Sequence, residues 1–422
     1  MRFDTKLLHG GHSPVDSKNC IPVPLYMTTA FNFNDVQYAA DLFDLKVSGD
    51  IYTRISNPTT AVLEERLANL EKGVGALALS SGQAASTLAI MNIAKAGDEI
   101  VAAAQLYGGT VNLFGHTLKK FGITVKMIKE EAAEAYAKAI TPKTKAIFIE
   151  TLSNPKLNVP DVEAIAKVAH DNNIPLIVDN TIPTPYLLTP VDYGADIIVH
   201  SITKYINGHG NSMGGAIIDC GTFDWEKSGK FPELVEPDES YHGISYTKTF
   251  GKAAYIVKAR VQLLRDLGTC ISPMNAYLTL LGMETLHLRM DRVSQTALKV
   301  AKYLENHEKV TYVNYPKLES SPYYELGKKY LPKGGSSMIG FRVKGGREGG
   351  TRFIENLKML IHATNLGDSR SIITYSALTT HRQLNDEQLE ACGVYNDFMR
   401  LSVGLEDADD IIDDLEYALS KV

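Results

Sequence analysis

The sequence predicts an α/β protein with a mostly parallel central sheet, an N-terminal arm and a smaller C-terminal α+β domain. Three observations support this fold class. Between residues 60 and 219, short apolar runs alternate with amphipathic segments, as in proteins that cover both faces of a parallel sheet with helices. The residues before 59 look irregular, and those after 272 follow a different order of strands and helices. A chain of 422 residues is long enough for two or three domains.

The first 58 residues form the predicted arm. They contain Pro14, Pro22, Pro24 and Pro58, with short polar stretches between them. Such a segment cannot bury much of its own surface. We therefore expect it to lie on something else, for example on a neighbouring subunit.

The predicted large domain covers residues 59–272. A helical pattern, AVLEERLANLEKG, ends at Gly73, and apolar runs then alternate with amphipathic helices. The expected helices are QAASTLAIMNIAKAGD, VNLFGHTLKKFG and DVEAIAKVAHDNN. The expected strands lie in GALALSSG, EIVAAA, ITVKMI, TKAIFIETLSNP, IPLIVDN, ADIIVHSITKY and GGAIID. Because the strands are apolar throughout, the sheet is expected to be buried on both faces.

The predicted small domain covers residues 273–422. A long helix over residues 275–307 leads into it. Strands are expected in SSMIGFRVKGG, SRSIITY and FMRLSVGLED, and a helix in GGTRFIENLKMLIHAT. This order of elements indicates a smaller α+β unit.

The composition narrows the class of protein. Hydrophobic residues make up 44% of the chain and charged residues 22%, as in globular proteins. A net charge of −6 without a basic cluster argues against a nucleic-acid partner. No apolar run reaches the roughly 20 residues that span a bilayer, and MRFDTKLLHGGHS lacks the pattern of a signal peptide. We therefore expect a cytoplasmic enzyme without a membrane partner.

The four cysteines are scattered along the chain and form no CxxC pair. They are Cys20, Cys220, Cys270 and Cys392. This spacing predicts reduced thiols, and neither a disulfide framework nor a metal site.

The polar residues that follow each apolar run outline the expected site, because ligands of open α/β sheets bind at the carboxyl ends of the strands. They are residues 80–83, 105–109, 150–154, 179–181 and 200–204.

Two residues of this set have the chemistry that a carbonyl cofactor requires. Lys204 follows an apolar strand, and burial would lower its pKa so that the neutral amine can form an imine. Asp179 ends the strand IPLIVDN and could keep a pyridine nitrogen protonated. The alternatives are a solvated loop lysine and an aspartate that caps a turn.

Two further strand ends would hold the rest of such a cofactor. Ser81, Gly82 and Gln83 precede a helix whose N-terminal N–H groups suit a phosphate, unless they form only a capping turn. Tyr107 precedes two glycines, so its ring could stack on a flat cofactor, unless it is an ordinary packed or exposed tyrosine. The chain lacks GxxxxGK[ST], and its GHGNSMGG does not have the spacing of GxGxxG.

At these residues the sequence resembles the cystathionine-γ-synthase-like family of fold-type I pyridoxal-5′-phosphate (PLP) enzymes. The most specific segment is VHSITKYINGHG (199–210), which is similar to the family's cofactor-lysine segment. The other similar segments are YTRISNPT (52–59), SSGQAA (80–85), LYGGT (106–110), ETLSNP (150–155), VDNT (178–181) and RLSVGLED (400–407). The resemblance covers nearly the whole chain and implies a fold-type I PLP transferase.

The resemblance also implies a role for each site residue. Lys204 would bond to the cofactor and move protons, Asp179 would pair with the pyridine nitrogen, and Tyr107 would stack on the ring and act as an acid or base. The residues implied for the phosphate are Ser81, Gly82, Gln83, Ser201 and Thr203, together with Tyr52 and Arg54 from a neighbouring subunit. The residues implied for the substrate α-carboxylate are Asn154, Asn365 and Arg400, unless Arg400 forms a surface salt bridge. A dimer would then be the minimal active unit, and the family implies a tetramer.

Within the family, the chain resembles the subgroup whose members replace the acetate of O-acetylhomoserine with sulfide or a thiol in methionine and cysteine biosynthesis. Gly109 stands where methionine γ-lyases carry cysteine, and Gln83 where many relatives carry methionine. Residues 237–246, 258–286 and 365–384 are also similar to that subgroup.

Several other functions stay open at this point. The nearest are methionine or cystathionine γ-lyase, and cystathionine γ-synthase with another homoserine ester. A binding protein that kept the fold without the chemistry is disfavoured by Lys204, Asp179 and Arg400. A nicotinamide-dependent oxidoreductase is disfavoured by the missing glycine fingerprint.

Overall fold

A computed structural model of the protein describes residues 1–379, 382 and 395–422. Cys392 and four residues of the segment 365–384 lie outside this part of the chain. Each structural statement below refers to the described residues.

Seven strands form the central sheet, in the spatial order β1-β7-β6-β5-β4-β2-β3. β7 runs antiparallel to its neighbours β1 and β6, and the other pairs are parallel. The mostly parallel central sheet predicted from the sequence is therefore confirmed. The strands are β1 Gly75–Leu79, β2 Glu99–Ala103, β3 Thr124–Ile128, β4 Thr144–Glu150, β5 Leu176–Asp179, β6 Ile197–His200 and β7 Gly215–Asp219.

The helices of this part of the chain begin behind residues that cap them. Asn57 precedes Pro58 at the start of α3, and its side chain accepts the N–H of Thr59. Ser81 caps α4 and Asp161 caps α8 in the same manner. The helices are α1 Phe3–His9, α2 Val36–Phe43, α3 Pro58–Glu71, α4 Gly82–Met91, α5 Gly108–Asn112, α6 Leu118–Lys120, α7 Ala133–Ala139, α8 Val162–Asp171, α9 Thr184–Leu187, α10 Trp225–Ser228, α11 Pro232–Val235, α12 Tyr246–Phe250, α13 Ala254–Lys258 and α14 Arg265–Leu267.

A second sheet has the order β10-β11-β12-β9-β8 and is antiparallel except between β10 and β11. Its strands are β8 Val310–Asn314, β9 Met338–Val343, β10 Ile361–His362, β11 Ile372–Tyr375 and β12 Phe398–Ser402. The remaining helices are α15 Pro273–Glu284, α16 Leu286–Glu305, α17 Tyr324–Tyr330, α18 Gly346–Glu355 and α19 Ala408–Leu419.

α16 takes part in both hydrophobic cores. Met290 and Val293 belong to the core around the central sheet, whereas Val300 and Leu304 belong to the core of the second sheet. A domain boundary after residue 272 stays a prediction.

The helix predicted over residues 275–307 is two helices that meet at Thr285. The backbone of Thr285 has φ −107° and ψ 9°, outside the helical region, and its hydroxyl accepts a hydrogen bond from Arg289 Nε at 3.2 Å. Arg289 also donates to the carbonyls of Tyr205 and Gly282, both at 2.7 Å. Through these hydrogen bonds, Arg289 connects the two helices to the segment that follows Lys204.

The helix predicted in GGTRFIENLKMLIHAT ends at Glu355, and β10 follows it. The carboxylate of Asp414 in α19 accepts the backbone N–H groups of Lys358, Met359 and Leu360 at 2.8, 3.0 and 2.9 Å. Because these groups bond to a carboxylate, the helix does not continue through them.

The first residues of the N-terminal arm pack against helix α3 of the same chain. Leu7 of α1 is fully buried, and Arg66 of α3 donates to the carbonyls of Gly10 (3.0 Å) and Leu8 (3.2 Å). Farther along, the arm exposes large apolar side chains, among them Ile21 and Met27. A contact between the arm and a neighbouring subunit stays a prediction. None of the described helices is long and apolar enough to cross a bilayer.

Candidate active site

A cavity of about 220 Å³ opens at the carboxyl ends of the parallel strands, and residues of the second sheet close its other side. It brings together every residue to which the sequence analysis gave a role in the site, except Tyr52 and Arg54. These residues are Ser81, Gly82, Gln83, Tyr107, Asn154, Asp179, Ser201, Thr203, Lys204, Asn365 and Arg400.

Lys204 lies in the turn after β6, with its amine inside the cavity. Its Nζ donates to Asn365 Oδ1 at 2.7 Å. Burial and the positive charge of Arg400 lower the pKa of Lys204 to about 8. Thr203 fixes the turn, since its hydroxyl donates to the carbonyl of Gly214 (3.1 Å) and accepts the Gly214 N–H (3.0 Å). The alternative of a solvated loop lysine is therefore wrong.

Asp179 and Glu150 end neighbouring strands and pair in register. Asp179 Oδ1 accepts the N–H of Thr181 at 2.9 Å. Burial raises the pKa of Asp179, against the opposing effects of the Thr181 hydrogen bonds and of His200. Burial and the charge of Asp179 also raise the pKa of Glu150 well above its usual value, against two backbone N–H donors. The floor of the cavity thus carries two adjacent carboxyl groups.

Glu150 lies in the segment 150–154 that the sequence predicted for the site, but no role was predicted for it. It is 6% exposed and lines the cavity, and it accepts the backbone N–H groups of Tyr107 (2.6 Å) and Asn154 (2.9 Å). The available signal was its position, as a carboxylate that ends the apolar strand TKAIFIE.

A buried polar network lies behind these carboxyl groups. Residues that follow each other along a strand point to opposite faces of the sheet. Thr151 donates to Asn180 Oδ1 (2.8 Å), and Asn180 Nδ2 donates to Glu71 Oε1 (3.0 Å). His200 Nε2 lies 2.6 Å from the same Glu71 oxygen. Glu71 of α3 therefore bonds to the residues that end or follow β5 and β6, and through Asn180 it is linked to the residue after β4. This network lies on the face of the sheet opposite the cavity.

The N-terminus of α4 forms one wall of the cavity. Ser81 caps the helix, since its hydroxyl accepts the N–H of Ala84 at 3.2 Å. Gly82 lies against the residue that follows β6, where a Cβ atom on it would fall 2.6 Å from the Cβ of Ser201. The turn is therefore a capping turn, and it also directs helix N–H groups toward the cavity, an arrangement that suits an anion.

Tyr107 precedes α5 and turns its ring into the cavity, where 48% of the residue is exposed. The ring leaves no space beside it. A Cβ atom on Gly109 would fall 2.6 Å from Tyr107 Cε1 and 2.9 Å from Gln83 Nε2. Gly109 and Gln83 therefore fit together around the ring.

Arg400 of β12 is a buried cation without a carboxylate partner among the described residues. It is 6% exposed. Its Nη1 donates to Asn154 Oδ1 at 2.9 Å, and its Nη2 donates to the Asn365 carbonyl and to Thr374 Oγ1, each at 3.0 Å. Its Nε has no hydrogen-bond partner there, and burial lowers its pKa to about 10. A surface salt bridge is therefore wrong for Arg400, and the buried charge suits an anionic ligand.

Tyr52 and Arg54 lie in the arm, outside the lining of this cavity. Tyr52 is 41% exposed, and the Arg54 guanidinium lies 5.4 Å from the centre of its ring. Arg54 also donates to the carbonyl of Arg265. Neither residue reaches the cavity of its own chain.

Three comparisons relate the chain to known proteins. A family model described as Cys/Met metabolism PLP-dependent enzyme matches residues 4–420. An O-acetyl-L-homoserine sulfhydrylase of Leptospira meyeri is 49% identical, over 99% of this chain and 97% of that protein. A homocysteine/cysteine synthase of Saccharomyces cerevisiae is 44% identical, over 100% of this chain and 98% of that protein. The crystal structure of an O-acetylhomoserine (thiol)-lyase from Campylobacter jejuni, which contains pyridoxyl-lysine monophosphate, superposes with a TM-score of 0.96 at 40% identity and covers 100% of both chains.

Proposed function

Because the chain belongs to the Cys/Met metabolism family of PLP-dependent enzymes, we propose that it replaces the acetate of O-acetyl-L-homoserine with sulfide. The products are L-homocysteine and acetate, and methanethiol in place of sulfide would give methionine. Relatives named O-acetyl-L-homoserine sulfhydrylase and homocysteine/cysteine synthase support this substrate pair. The reaction belongs to methionine and cysteine biosynthesis.

One observation supports an amino-acid substrate above all others: the buried guanidinium of Arg400 has no carboxylate partner in the described part of the chain and lines the same cavity as the amine of Lys204. Arg400 binds the α-carboxylate of the substrate, because a planar guanidinium matches a carboxylate with two parallel hydrogen bonds. Asn154 and Asn365 hold the guanidinium in place through Oδ1 and the backbone carbonyl, respectively. The substrate Cα is thereby presented to Lys204.

The residues of the cavity fit PLP. Lys204 offers an amine of lowered pKa for the aldehyde, and Asp179 of the same cavity would pair with the pyridine nitrogen. The N-terminus of α4, with Ser81, Gly82 and Gln83, would hold the phosphate together with Ser201 and Thr203. When bound, PLP supplies an electron sink that stabilises negative charge at the substrate Cα.

Lys204 moves the protons of the reaction. With a pKa of about 8, roughly a tenth of its amine is neutral at pH 7, against far less for a solvated lysine. Its Nζ takes the proton from Cα and then moves a second proton at Cβ, while Arg400 keeps the substrate in place. Lys204 returns these protons after hydrosulfide has replaced acetate at Cγ. Acetate leaves with its bonding pair and hydrosulfide supplies the new one, so no oxidant or reductant is required.

Assays of the purified protein with substrate pairs test this function. We expect homocysteine and acetate in equal amounts from O-acetylhomoserine and sulfide. Formation of 2-ketobutyrate from methionine or cystathionine without an added thiol would identify a γ-lyase instead. Faster turnover of the succinyl or phospho ester would contradict the acetyl ester as the substrate.

A second copy of the chain completes the site in this proposal. Tyr52 and Arg54 lie outside their own cavity, and the arm that carries them exposes apolar side chains. They reach the cofactor phosphate of the neighbouring subunit, which makes a homodimer the minimal active unit and a tetramer the full assembly.

Mixing two inactive variants tests the shared site. We expect Arg54→Ala and Lys204→Ala each to lose activity as pure oligomers. If Arg54 acts across the dimer, re-assembly from an equal mixture restores roughly a quarter of the wild-type activity, because half of the dimers then carry one intact site. If Arg54 acted on its own chain, the mixture would stay inactive.

The proposal places the enzyme in the cytoplasm. Cys20, Cys220 and Cys270 are free thiols, which is typical of reducing compartments. Recovery of the expressed chain in a membrane or periplasmic fraction would contradict this assignment.

A further inference from the structure

Glu150 connects two sides of the cavity, and the chemistry proposed above uses it in no step. One of its carboxylate oxygens accepts the backbone N–H of Tyr107, and the other accepts the backbone N–H of Asn154. These contacts leave each carboxylate oxygen bonded to a backbone donor. A single buried side chain thus holds the residue that carries the exposed ring and the residue that contacts Arg400.

From Asn154 the hydrogen bonds continue around the cavity to the reactive amine. Asn154 Oδ1 accepts from Arg400 at 2.9 Å, and Arg400 donates to the carbonyl of Asn365 at 3.0 Å. Asn365 Oδ1 accepts from Lys204 at 2.7 Å. One chain of hydrogen bonds therefore runs from Lys204 through Asn365, Arg400 and Asn154. Glu150 connects the Asn154 end of this chain to Tyr107.

Two sets of hydrogen bonds hold the backbone of Tyr107. Its carbonyl accepts the N–H groups of Thr110 and Val111 in α5, and its own N–H donates to Glu150. Its side chain makes no capping hydrogen bond. Tyr107 lines the cavity, so a shift of its backbone displaces the ring there. The N–H bonded to Glu150 links that backbone directly to the end of β4.

We propose that Glu150 is a positioning residue, whose carboxylate sets the Tyr107 ring and the Asn154–Arg400 pair at a fixed distance from each other. The inference rests on the proposed function, which assigns the ring to the cofactor and Arg400 to the substrate carboxylate. A glutamine at position 150 keeps one acceptor oxygen but turns an N–H₂ group toward the second backbone N–H. One of the two contacts is then lost without a large change in volume.

Steady-state kinetics of the holoenzyme carry the first test. For Glu150→Gln we expect the KM for O-acetylhomoserine to rise about tenfold, as for the loss of one hydrogen bond of ordinary strength. The KM for sulfide should not change, because sulfide has no carboxylate to misplace. A KM that rises for O-acetylhomoserine but not for sulfide distinguishes a positioning role from a general loss of folded enzyme.

Two measurements without turnover carry the second test. The visible circular dichroism of the bound cofactor should change in Glu150→Gln, because the stacking ring moves. Hydrogen–deuterium exchange should become faster in peptides that contain residues 105–109 or 150–154. Asp414→Asn is the matched control, since Asp414 is also a buried carboxylate that accepts backbone N–H groups but does not line the cavity. It should change neither the dichroism nor the KM.

The outcomes separate this inference from the proposed function. An unchanged KM and unchanged dichroism in Glu150→Gln overturn the positioning role, as does an equal rise of the KM in Asp414→Asn. If wild-type protein does not turn over O-acetylhomoserine, the proposed function fails, and dichroism and exchange still decide the role of Glu150. If the glutamine variant does not fold, Glu150→Asp replaces it, because an aspartate is too short to reach both N–H groups and should give the same split of KM values.

Discussion

At the scale of single residues, the reactivity of Lys204 comes from its surroundings. Burial and the nearby guanidinium of Arg400 disfavour the charged amine and lower its pKa to about 8. The fraction of neutral amine therefore rises with pH, reaches one half near pH 8 and levels off only well above that pH. Since only the neutral amine attacks an aldehyde, uptake of PLP should follow the same curve.

We expect the rate at which the apoenzyme binds PLP to rise with pH to a midpoint near pH 8. Stopped-flow absorbance at a series of pH values measures this rate. Arg400→Gln removes the charge that, together with burial, lowers the pKa of Lys204, so its midpoint should move to higher pH. A midpoint close to that of a solvated lysine, about 10.4, would contradict the account of the wild-type site.

Arg400→Lys tests the shape of the carboxylate site separately from its charge. A lysine amine offers a point charge in place of the planar fork, so the KM for O-acetylhomoserine should rise about 30-fold, which corresponds to a loss of about 2 kcal/mol. Arg352→Lys is the control, because Arg352 is exposed and pairs with Glu348 on the surface. A KM that stays at the wild-type value would show that another group binds the carboxylate.

Gly109→Ala tests the fit around the Tyr107 ring. The added Cβ atom would fall 2.6 Å from the ring and 2.9 Å from Gln83, closer than such atoms can approach. We expect kcat to fall at least tenfold, because the ring or Gln83 must move. Gly108→Ala is the matched control, since no atom lies within 4 Å of its Cβ position. Equal activity of the two variants would contradict the proposed packing.

The sequence was sufficient to predict the cavity residues that end apolar strands, such as Lys204 and Asp179. The carboxyl ends of parallel strands lie at the same edge of a sheet, and this does not depend on the conformation of the loops. It was not sufficient to give Glu150 a role, because the hydrogen bond from the Tyr107 N–H joins two different strand ends of the folded chain. Nor could it show that the Thr203 hydroxyl bonds to Gly214, because that contact exists only once the turn has folded.

At the scale of elements, the carboxylate of Asp414 determines how the chain leaves α18. Three backbone N–H groups, which in a longer helix would bond to carbonyls, bond to this side chain. It is an interaction between α19 and a segment that precedes it by more than fifty residues. Local sequence patterns do not report such an interaction.

We expect Asp414→Ala to lower the free energy of unfolding by about 2 kcal/mol or more, because it leaves buried N–H groups without an acceptor. Denaturant titration measures this loss. Asp413→Ala changes the adjacent, exposed residue and should leave stability within about 0.5 kcal/mol of wild type. Equal stability of both variants would show that water replaces the carboxylate.

The helix prediction over residues 275–307 failed for a similar reason. Its apolar spacing is helical on both sides of Thr285, and nothing local marks a break there. At the break, the Thr285 hydroxyl accepts a hydrogen bond from Arg289, which also donates to the carbonyl of Tyr205 in a distant segment. By contrast, the strands of the central sheet were predictable, because short, mostly apolar runs alternate with helical patterns along the chain.

At the scale of the whole molecule, the two sheets form one site. The central sheet contributes Lys204, Asp179 and Glu150, and the second sheet contributes Arg400. The family match over residues 4–420 confirms the predicted PLP enzyme and its fold. The division into domains stays a prediction, because α16 takes part in both hydrophobic cores. The part that the arm plays in an oligomer also stays a prediction, because it depends on contacts that a single chain does not contain.

The central claim is that one particular lysine holds the cofactor. The chain offers a competitor: Lys258 of α13 is also buried, and burial lowers its pKa to about 8 as well. Its Nζ, however, donates to the carbonyl of Asn92 at 3.0 Å and lies outside the cavity that contains Asp179 and Arg400. A lowered pKa alone therefore does not select the lysine.

Borohydride reduction of the holoenzyme, followed by peptide mass spectrometry, tests this claim most directly. Reduction makes the bond between cofactor and lysine permanent, so the modified peptide identifies the residue. The account predicts a pyridoxyl group on Lys204 and none on Lys258. A pyridoxyl group on Lys258, or on any lysine other than Lys204, would contradict it.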